Sequence, residues 1–266
     1  MITCECDNIY NCNCIEGMKR LSAGCVDLVV TSPPYDNLRS YGGGNNEWSF
    51  DVFKAAADEI VRVLRNDGVC VWIVSDGTEN GSESGTSFRQ ALYFMEKGLS
   101  LYDTMIWEKP SPQAPTEGRY YDVFEYMFVF CKGIKPRALN LLADRKNISA
   151  GLVGRKETRS CAEDRRILDQ KRVVAEYSRR FNVWQVAREN NGTGHPAIFP
   201  LKLAEGHILS WSNEGDVVLD PFSGSGTTAV ACIKTNRHYI GFEMNEDYYK
   251  ASIKRVSAEK SQLRLF

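Results

Sequence analysis

The chain has 266 residues, 43% of them hydrophobic and 25% charged, and a formal net charge of −1. This length and composition are ordinary for a soluble globular protein with one large domain, or one domain with an insertion. No apolar run approaches the roughly 18 residues of a membrane-spanning helix. The N-terminus also lacks the basic and long apolar segments of a signal peptide. We therefore predict a cytoplasmic protein whose nine cysteines are reduced thiols.

Seven strand-like segments follow one another along the chain. They cover residues 8–14, 26–31, 68–75, 101–108, 123–131, 216–220 and 238–243. Helical patterns lie between several of them, at 50–66, at 87–98, at 200–211 and from about Thr227. Strands that alternate with helices predict a mainly parallel sheet covered on both faces. Because no convincing helix joins 101–108 to 123–131, these two strands are predicted to form an antiparallel edge.

Four cysteines cluster near the N-terminus: Cys4, Cys6, Cys12 and Cys14. Their paired C-x-C spacing differs from the usual C-x₂₋₄-C spacing of zinc sites. Cys12 and Cys14 also fit one face of the strand predicted at 8–14. We predict small buried residues at these positions and no metal, with a zinc site as the alternative.

The charge is distributed unevenly. Residues 132–180 contain 14 Lys and Arg but only 6 Asp and Glu, a balance of +8, so the rest of the chain carries −9. A basic region on an acidic body predicts a polyanionic partner contacted by that region. The alternative is a solvated helix face, because residues 160–180 have the pattern of an amphipathic helix with interspersed charges. Residues 132–190 also break the alternation of strands and helices, which indicates an insertion.

The first informative motif is "VDLVVTSPPY", residues 26–35, in which a buried strand ends in a hydroxyl, two prolines and an aromatic residue. Two consecutive prolines fix φ and remove two backbone donors. The motif therefore predicts a rigid corner, rich in hydrogen-bond acceptors, at the tip of a strand. Taken alone, it is also compatible with a simple strand-ending turn.

The second motif is "DVVLDPFSGSGTTAVA", in which a strand leads into Asp220, a glycine-rich turn and a helix. Glycines allow the backbone to approach a ligand closely at the carboxyl end of a strand. The next strand ends at Glu243, 19 residues after Gly224, where a carboxylate is suited to bind ribose hydroxyls. The pattern G-x-G-x-x-A at Gly224, Gly226 and Ala229 is also typical of nicotinamide and flavin enzymes, and a tight turn remains an alternative.

The two motifs together resemble the DNA amino-methyltransferases, which transfer a methyl group from S-adenosylmethionine to an exocyclic base nitrogen. The PPY element precedes the glycine loop, as in the permuted β group of that family, and "GHPAIFPLKLAEGHIL" before the cofactor strand also matches. The resemblance implies an α/β fold with a Rossmann-like, seven-stranded, mostly parallel sheet and a circularly permuted motif order. It divides the chain into a catalytic half (1–131), a helical, basic target-recognition insertion (132–190) and a cofactor-binding half (191–266).

The resemblance also implies roles for individual residues. The catalytic corner consists of Ser32, Pro33, Pro34 and Tyr35. There the Tyr35 ring stacks on a flipped-out base, while Ser32 Oγ and the Pro33 carbonyl accept hydrogen bonds from its amino group. The cofactor-binding residues are Asn13, Cys14, Thr31, His195, Phe199, Pro200, Asp220, Phe222, Gly224, Ser225, Gly226, Thr227, Thr228 and Glu243. The implied DNA contacts come from Arg155, Lys156, Arg159, Arg165, Arg166, Lys171 and Arg172.

One position departs from the family pattern. Where the family often has Gly-Asp-Cys, this chain has Cys12-Asn13-Cys14, so an uncharged amide replaces the carboxylate that contacts the adenine amine. In this family "SPPY" accompanies mostly cytosine N4, so we predict methylation of cytosine N4, with adenine N6 as the alternative.

The implied partner is double-stranded DNA. The resemblance leaves open a cognate restriction endonuclease as a functional partner, and a monomer or a homodimer. A nicotinamide or flavin enzyme would leave "TSPPY" and the basic region unexplained, and a non-catalytic DNA-binding module would explain neither motif. Methylation of a glutamine or an RNA base is disfavoured by the motif order.

Overall fold

The computed structural model describes residues 5–34, 48–110, 118–157, 167–187 and 200–263, with only the backbone described at 79, 154–157, 167–172 and 263. Contacts divide the chain into two compact units: residues 1–140 with 182–266, and residues 141–181. None of the described helices combines the length and hydropathy needed to cross a bilayer.

Eight strands of the described residues form the main sheet, in the order β1-β14-β13-β2-β3-β7-β6-β12. Their bounds are β1 Asn8–Tyr10, β2 Val26–Thr31, β3 Leu64–Val74, β6 Ser100–Glu108, β7 Phe124–Cys131, β12 Val183–Gln185, β13 Val217–Asp220 and β14 His238–Phe242. Strand β7 runs antiparallel to both β3 and β6, whereas the other pairs are parallel. The predicted mostly parallel sheet with an antiparallel region is therefore confirmed.

Six helices are described. They are α1 Cys14–Met18, α2 Phe50–Val63, α3 Thr86–Glu96, α4 Leu201–Trp211, α5 Thr227–Lys234 and α6 Glu246–Leu263. Helices α1, α2 and α3 contact one another in series, as do α4, α5 and α6. Because α2 joins β2 to β3 in one direction along the sheet and α5 joins β13 to β14 in the other, right-handed crossovers place these two groups on opposite faces. The result is a three-layer α/β fold.

The apolar residues of the central strands account for the burial of these strands. In β2 every residue except Asp27 is buried, which is typical of a parallel strand covered on both faces. Helix α2 begins after Ser49, whose Oγ accepts a hydrogen bond from Val52 N at 3.2 Å. Its apolar stripe buries Phe53, whose ring lies 5.7 Å from that of Trp72 on β3.

The order of the strands creates a crevice. The connections from β13 and β2 diverge to opposite sides, so their adjacent carboxyl ends form a topological switch point, where open α/β sheets bind ligands. The carboxyl ends of β1, β14, β13, β2 and β3 follow one another along this edge. The motif at residues 31–34 and the motif at residues 220–228 therefore meet at the same place.

The unit of residues 141–181 is built of short antiparallel strands. Strand β9 (Val153–Glu157) pairs with β10 (Ile167–Val173), and β8 (Arg145–Lys146) pairs with β11 (Tyr177–Ser178). A small hairpin, β4 (Thr78–Glu79) with β5 (Ser82–Glu83), lies in the larger unit. The residues that precede and follow this unit, Asn140 and Asn182, belong to the larger unit. Asn140 N donates to Ser210 O at 2.9 Å, and Asn182 Nδ2 donates to Thr104 O at 3.1 Å.

The prediction that the insertion is helical is wrong for the described residues. No helix is present there between 141 and 157 or between 167 and 181, and the stretch 167–173 is a strand. Its β-branched and apolar residues suit a strand once β9 is available as a partner, and this pairing overrides the helical pattern of its charges. The main sheet has eight described strands instead of the expected seven. The additional strand is β12, which lies within the predicted insertion and pairs with β6 at the edge of the sheet.

Two further boundaries differ from the expectation. The strand predicted at 8–14 ends at Tyr10, because the chain turns and Asn13 then caps α1, so Cys12 and Cys14 do not share a strand face. The helix predicted at 50–66 ends at Val63, and β3 already begins at Leu64. Among the described residues no group of three or more His, Cys, Asp or Glu side chains is placed to hold a metal ion, and Cys4 lies outside them.

Candidate active site

A buried carboxylate joins the two motifs at the switch point. Asp220 Oδ1 accepts hydrogen bonds from Thr31 Oγ1 at 2.7 Å and from Phe222 N at 3.1 Å, and its Oδ2 accepts from Thr228 Oγ1 at 2.6 Å. Burial raises the pKa of the Asp220 carboxyl, and these three hydrogen bonds oppose that rise. Asp220 therefore ties the end of β2 to the start of α5. Both of its carboxylate oxygens accept hydrogen bonds from residues of the two motifs.

The glycine-rich turn has the backbone conformation that its sequence predicts. Gly224 has φ of 49° and Gly226 has φ of 78°, a left-handed region that other residues adopt only with strain. The turn closes through a hydrogen bond from Gly226 N to Ser223 O at 2.8 Å, and α5 begins directly after it. The turn is thereby held at the carboxyl edge of the sheet.

Glu243 lies beside this turn, immediately after β14. Its Oε2 accepts from Gly224 N at 2.8 Å, and its Oε1 accepts from Asn245 N at 2.7 Å. Burial raises the pKa of the Glu243 carboxyl, while these N–H donors oppose the rise. The carboxylate is thus oriented by the glycine loop itself, in the position expected of a group that binds ribose hydroxyls.

Aromatic side chains cluster around Phe222, which directly precedes the glycine-rich turn. The Phe222 ring is half-buried and lies 5.3 Å from the Trp48 ring and 6.2 Å from the Trp72 ring, in edge-on arrangements. These neighbours hold Phe222 next to the loop, where its ring fits a flat adenine. The residues present therefore suit an adenosine-containing cofactor: a glycine turn, a half-buried carboxylate and an aromatic ring on one edge.

The N-terminal segment adds another side to the site. Asn13 Oδ1 caps α1 by accepting from Ile15 N at 2.8 Å, so the amide oxygen predicted to contact adenine has a partner within the chain. Burial raises the pKa of the Cys14 thiol to about 12, which keeps it protonated at neutral pH. Asn11 Nδ2 donates to Glu243 O at 2.9 Å and ties this segment to β14.

The proline corner follows Thr31 directly. Pro33 is buried, while Ser32 and Pro34 are half-buried. Ser32 directly follows the last residue of β2, so it lies at the carboxyl edge of the sheet, next to the strand end that Asp220 holds. Tyr35, the fourth residue of the predicted catalytic corner, lies outside the described residues.

The remaining predicted residues divide into three groups. Ser225, Thr227 and Thr228 are buried in the loop and first turn of α5, and Pro200 is the N-cap of α4, which packs on β2 and α5. His195 and Phe199 lie outside the described residues, as do Arg159, Arg165 and Arg166. For four basic residues only the backbone is described: Arg155 and Lys156 in β9, Lys171 and Arg172 in β10.

Sequence reasoning missed two features near this edge. Arg255 of α6 reaches the glycine loop, with Nη1 2.8 Å from Thr227 Oγ1. Lys109 and Glu125 form a buried ion pair at 3.2 Å where β6 ends and β7 begins. Neither position belongs to a local motif, although charged residues next to apolar strands in "MIWEK" and "VFEYMFVF" are a signal that could have identified the buried pair.

Known proteins are similar to this chain in sequence and in fold. A family model described as DNA methylase matches residues 26–254. The orphan methyltransferase M.BamHII of Bacillus amyloliquefaciens is 48% identical over 254 residues, which cover 90% of this chain and 92% of that protein. Both matches include the proline corner, the glycine loop and the segment between them.

Two solved structures agree in fold. PvuII DNA methyltransferase (cytosine-N4-specific) superposes with a TM-score of 0.69 at 22% identity, over 98% of this chain and 93% of that chain. TTHA0409, a DNA modification methylase from Thermus thermophilus complexed with S-adenosyl-L-methionine, has a TM-score of 0.62 at 23% identity, over 94% of this chain and 95% of that one. With the family match, the sheet edge and its glycine loop lead to one conclusion: the chain belongs to the DNA methylase family and is an S-adenosylmethionine-dependent DNA amino-methyltransferase.

Proposed function

We propose that this DNA methyltransferase modifies the exocyclic N4 of cytosine in a base flipped out of the duplex. The observation that carries the proposal is Ser32, the first residue of the corner, placed directly after the fixed Thr31. A serine hydroxyl reaches less far than the aspartate or asparagine more often found there in adenine-directed relatives. The cytosine-N4-specific name of the PvuII enzyme, which shares the fold, agrees with this choice.

The chemistry requires positioning more than a strong base. An exocyclic amine conjugated with its ring is a poor nucleophile, so acceptors that draw its nitrogen toward sp³ geometry lower the barrier. In this proposal Ser32 Oγ and the Pro33 carbonyl accept from the amino group. S-adenosylmethionine supplies the electrophilic methyl group on a sulfonium.

The cofactor site follows from the same edge of the sheet. Glu243 binds the ribose hydroxyls, the Phe222 ring covers the adenine, and the turn at Gly224–Gly226 lets the backbone approach. Asp220 and Thr228 bind each other at 2.6 Å and serve to hold this turn against Thr31. A base bound at Ser32 and a cofactor bound at the turn would then have a fixed spacing.

A covalent cysteine intermediate has no place in this mechanism, because the attacking atom is an amine nitrogen rather than a ring carbon. The state of Cys14, at the start of α1, is consistent with a mechanism that uses no cysteine nucleophile. Burial raises the pKa of Cys14 to about 12, so its thiol is a weak nucleophile at neutral pH.

The unit of residues 141–181 is proposed as the target-recognition region. It contains 11 Lys and Arg against 6 Asp and Glu. The register of β9 and β10 sets the basic positions Arg155 and Lys171 opposite each other, an arrangement that suits an anionic partner. A two-stranded ribbon also fits the major groove of B-DNA. Duplex DNA is therefore the partner proposed for this unit.

A restriction endonuclease of the same sequence specificity would be the functional partner of such an enzyme in a restriction-modification pair. M.BamHII is named an orphan methyltransferase, so the relative at 48% identity points to modification without a companion nuclease. The proposal for this chain is accordingly methylation of duplex DNA as an independent activity.

The test is identification of the modified nucleoside. Plasmid DNA from a host without its own methyltransferases is incubated with the protein and S-adenosylmethionine, digested to nucleosides and analysed by mass spectrometry. The expected product is N4-methylcytosine, absent when S-adenosylmethionine is omitted. N6-methyladenine as the sole product would overturn the choice of base and leave the fold, cofactor and site unchanged.

A further inference from the structure

The C-terminal helix reaches back to the cofactor loop through Arg255. Its Nη1 donates to Thr227 Oγ1 at 2.8 Å and lies 3.4 Å from both Ser225 O and Ser225 Oγ. Arg255 is half-buried, and it stands 29 residues after Gly226 in the chain. One guanidinium thus spans the last serine of the glycine turn and the first residue of α5.

The rest of α6 closes the back of the same turn. A Cβ added at Gly226 would meet Ser252 Cβ at 3.0 Å, so the turn and the helix are in close contact. Lower on the helices, Lys234 of α5 and Glu259 of α6 form an ion pair at 3.0 Å. Attachment of α6 to α5 therefore has its own contacts, separate from those of Arg255.

Helix stability does not explain where Arg255 lies. A cation beside the first turn of α5 opposes the dipole of that helix, which favours negative charge at its N-terminus. The hydrogen bonds to Ser225 and Thr227 offset this repulsion and hold the turn. A cation at this point also adds to the positive potential of the loop, where an anionic group of a ligand would be bound.

We propose that Arg255 is a positioning residue for S-adenosylmethionine. It fixes the Ser225–Thr227 segment so that this part of the turn is preorganised for the methionine end of the cofactor. The inference rests on the cofactor site proposed above. It assigns to α6, which contains none of the family motifs, a part in cofactor affinity.

The experiment compares Arg255→Gln, Arg255→Lys and the wild type by calorimetry with S-adenosylhomocysteine. Loss of charge-assisted hydrogen bonds to the loop is expected to raise Kd about five- to thirtyfold in Arg255→Gln. The KM for S-adenosylmethionine should rise in parallel, while kcat at saturating cofactor changes little. Arg255→Lys should lie between the two, since an ammonium lacks the planar fork that reaches Ser225 and Thr227 together.

Lys254→Gln is the matched control, because it removes the same charge from an exposed neighbour on the same helix. Glu259→Gln, which breaks the α5–α6 ion pair, controls for loosening of the helix and is expected to lower the melting temperature with little change in Kd. If Arg255→Gln does not fold, Arg255→Lys gives the decision.

Two outcomes separate the inference from the site on which it rests. If the Arg255 variants bind S-adenosylhomocysteine as the wild type does while Glu243→Ala binds it weakly, Arg255 only packs α6 and the inference is wrong. If Glu243→Ala also binds normally, the proposed cofactor site itself is wrong.

Discussion

Thr31 Oγ1 donates to Asp220 Oδ1 at 2.7 Å, and this bond joins two strands whose onward connections run in opposite directions. Thr31 immediately precedes the corner proposed to hold the base, and Asp220 immediately precedes the turn proposed to hold the cofactor. A buried hydrogen bond between side chains 189 residues apart therefore links the corner to the turn, in addition to the parallel pairing of β2 with β13.

Replacing Thr31 with Val keeps the shape of the side chain and removes the donor. It should cost about 1–2 kcal/mol of folding free energy, because the buried Asp220 carboxylate loses one hydrogen bond while Phe222 N still donates to the same oxygen. Turnover should fall further than the stability loss explains, since Ser32 is no longer fixed against the turn. Urea denaturation and steady-state methylation measure the two effects.

Thr235→Val is the control for this change. Thr235 Oγ1 donates to Ala231 O at 2.7 Å near the end of α5, away from the carboxyl edge. It should affect stability without affecting turnover. Equal loss of turnover in both variants would contradict the role given to the Thr31–Asp220 bond.

Asp220 gives stability a specific dependence on pH. Because burial raises its pKa above the ordinary 3.8, the folded state holds the proton to higher pH than the unfolded state. Its contribution is therefore fully present below pH 3.8 and is lost as pH rises through the folded-state pKa. The unfolding free energy of the wild type relative to Asp220→Asn should decline as pH rises above about 4, as followed by urea denaturation. A relative stability that increases with pH would show that the carboxylate is stabilised by folding.

Glu243→Ala should weaken binding of S-adenosylhomocysteine about ten- to a hundredfold, because it removes the acceptor for the ribose hydroxyls. Gly224 N also loses its acceptor, so the turn is loosened at the same time. Isothermal calorimetry measures the change. Glu246→Ala, three residues further along and exposed, is the matched control and should bind normally. An unchanged affinity in Glu243→Ala would rule out its assigned role.

Ser32→Ala should lower kcat about 10²- to 10³-fold, the usual effect of removing one preorganised group that stabilises a transition state. Cofactor affinity should be unchanged, because Ser32 is assigned to the base. Single-turnover methylation of plasmid DNA, with calorimetry on the same preparation, separates the two. Ser82→Ala, an exposed serine in β5, provides the comparison. A kcat within about threefold of wild type would exclude Ser32 from the chemistry.

Binding of duplex DNA should fall steeply with salt, with a slope of about −0.9 for each phosphate contacted. Reversal of Arg165, Arg166, Lys171 and Arg172 to Glu should abolish DNA binding at moderate salt and leave binding of S-adenosylhomocysteine intact. Fluorescence anisotropy over a salt series measures the slope. Retention of DNA binding would make this region a solvated surface.

The sequence predicted those parts of the molecule that depend on local patterns. The burial of β2, the turn at Gly224 and the position of Glu243 after β14 all follow from residues that are close together in the chain. Arg255 could not be found in this way, because its contact with Thr227 exists only once α6 has folded back on α5. The pairing of Asp220 with Thr31 and Thr228 is likewise a tertiary feature, although each of the three residues belongs to a sequence motif.

In the insertion, by contrast, the local pattern predicted the wrong secondary structure. Its interspersed charges are compatible with a helix when the segment is considered alone, but pairing with β9 makes Ile167–Val173 a strand. Strand β12, with three residues, is too short to show a periodicity and is recognisable only by its register with β6. Short strands and paired ribbons thus depend on partners that a single window of sequence does not contain.

Asn140 and Asn182, the residues on either side of 141–181, each form a hydrogen bond with another element of the larger unit. Both bonds lie within the larger unit, so we expect a change in the length or sequence of residues 141–181 to leave in place the strands that carry Thr31 and Asp220. Loop-closure entropy grows only slowly with length, which makes such exchanges thermodynamically mild. If residues 141–181 select the DNA, as proposed above, enzymes of this design can change the DNA they recognise and keep the same transfer chemistry.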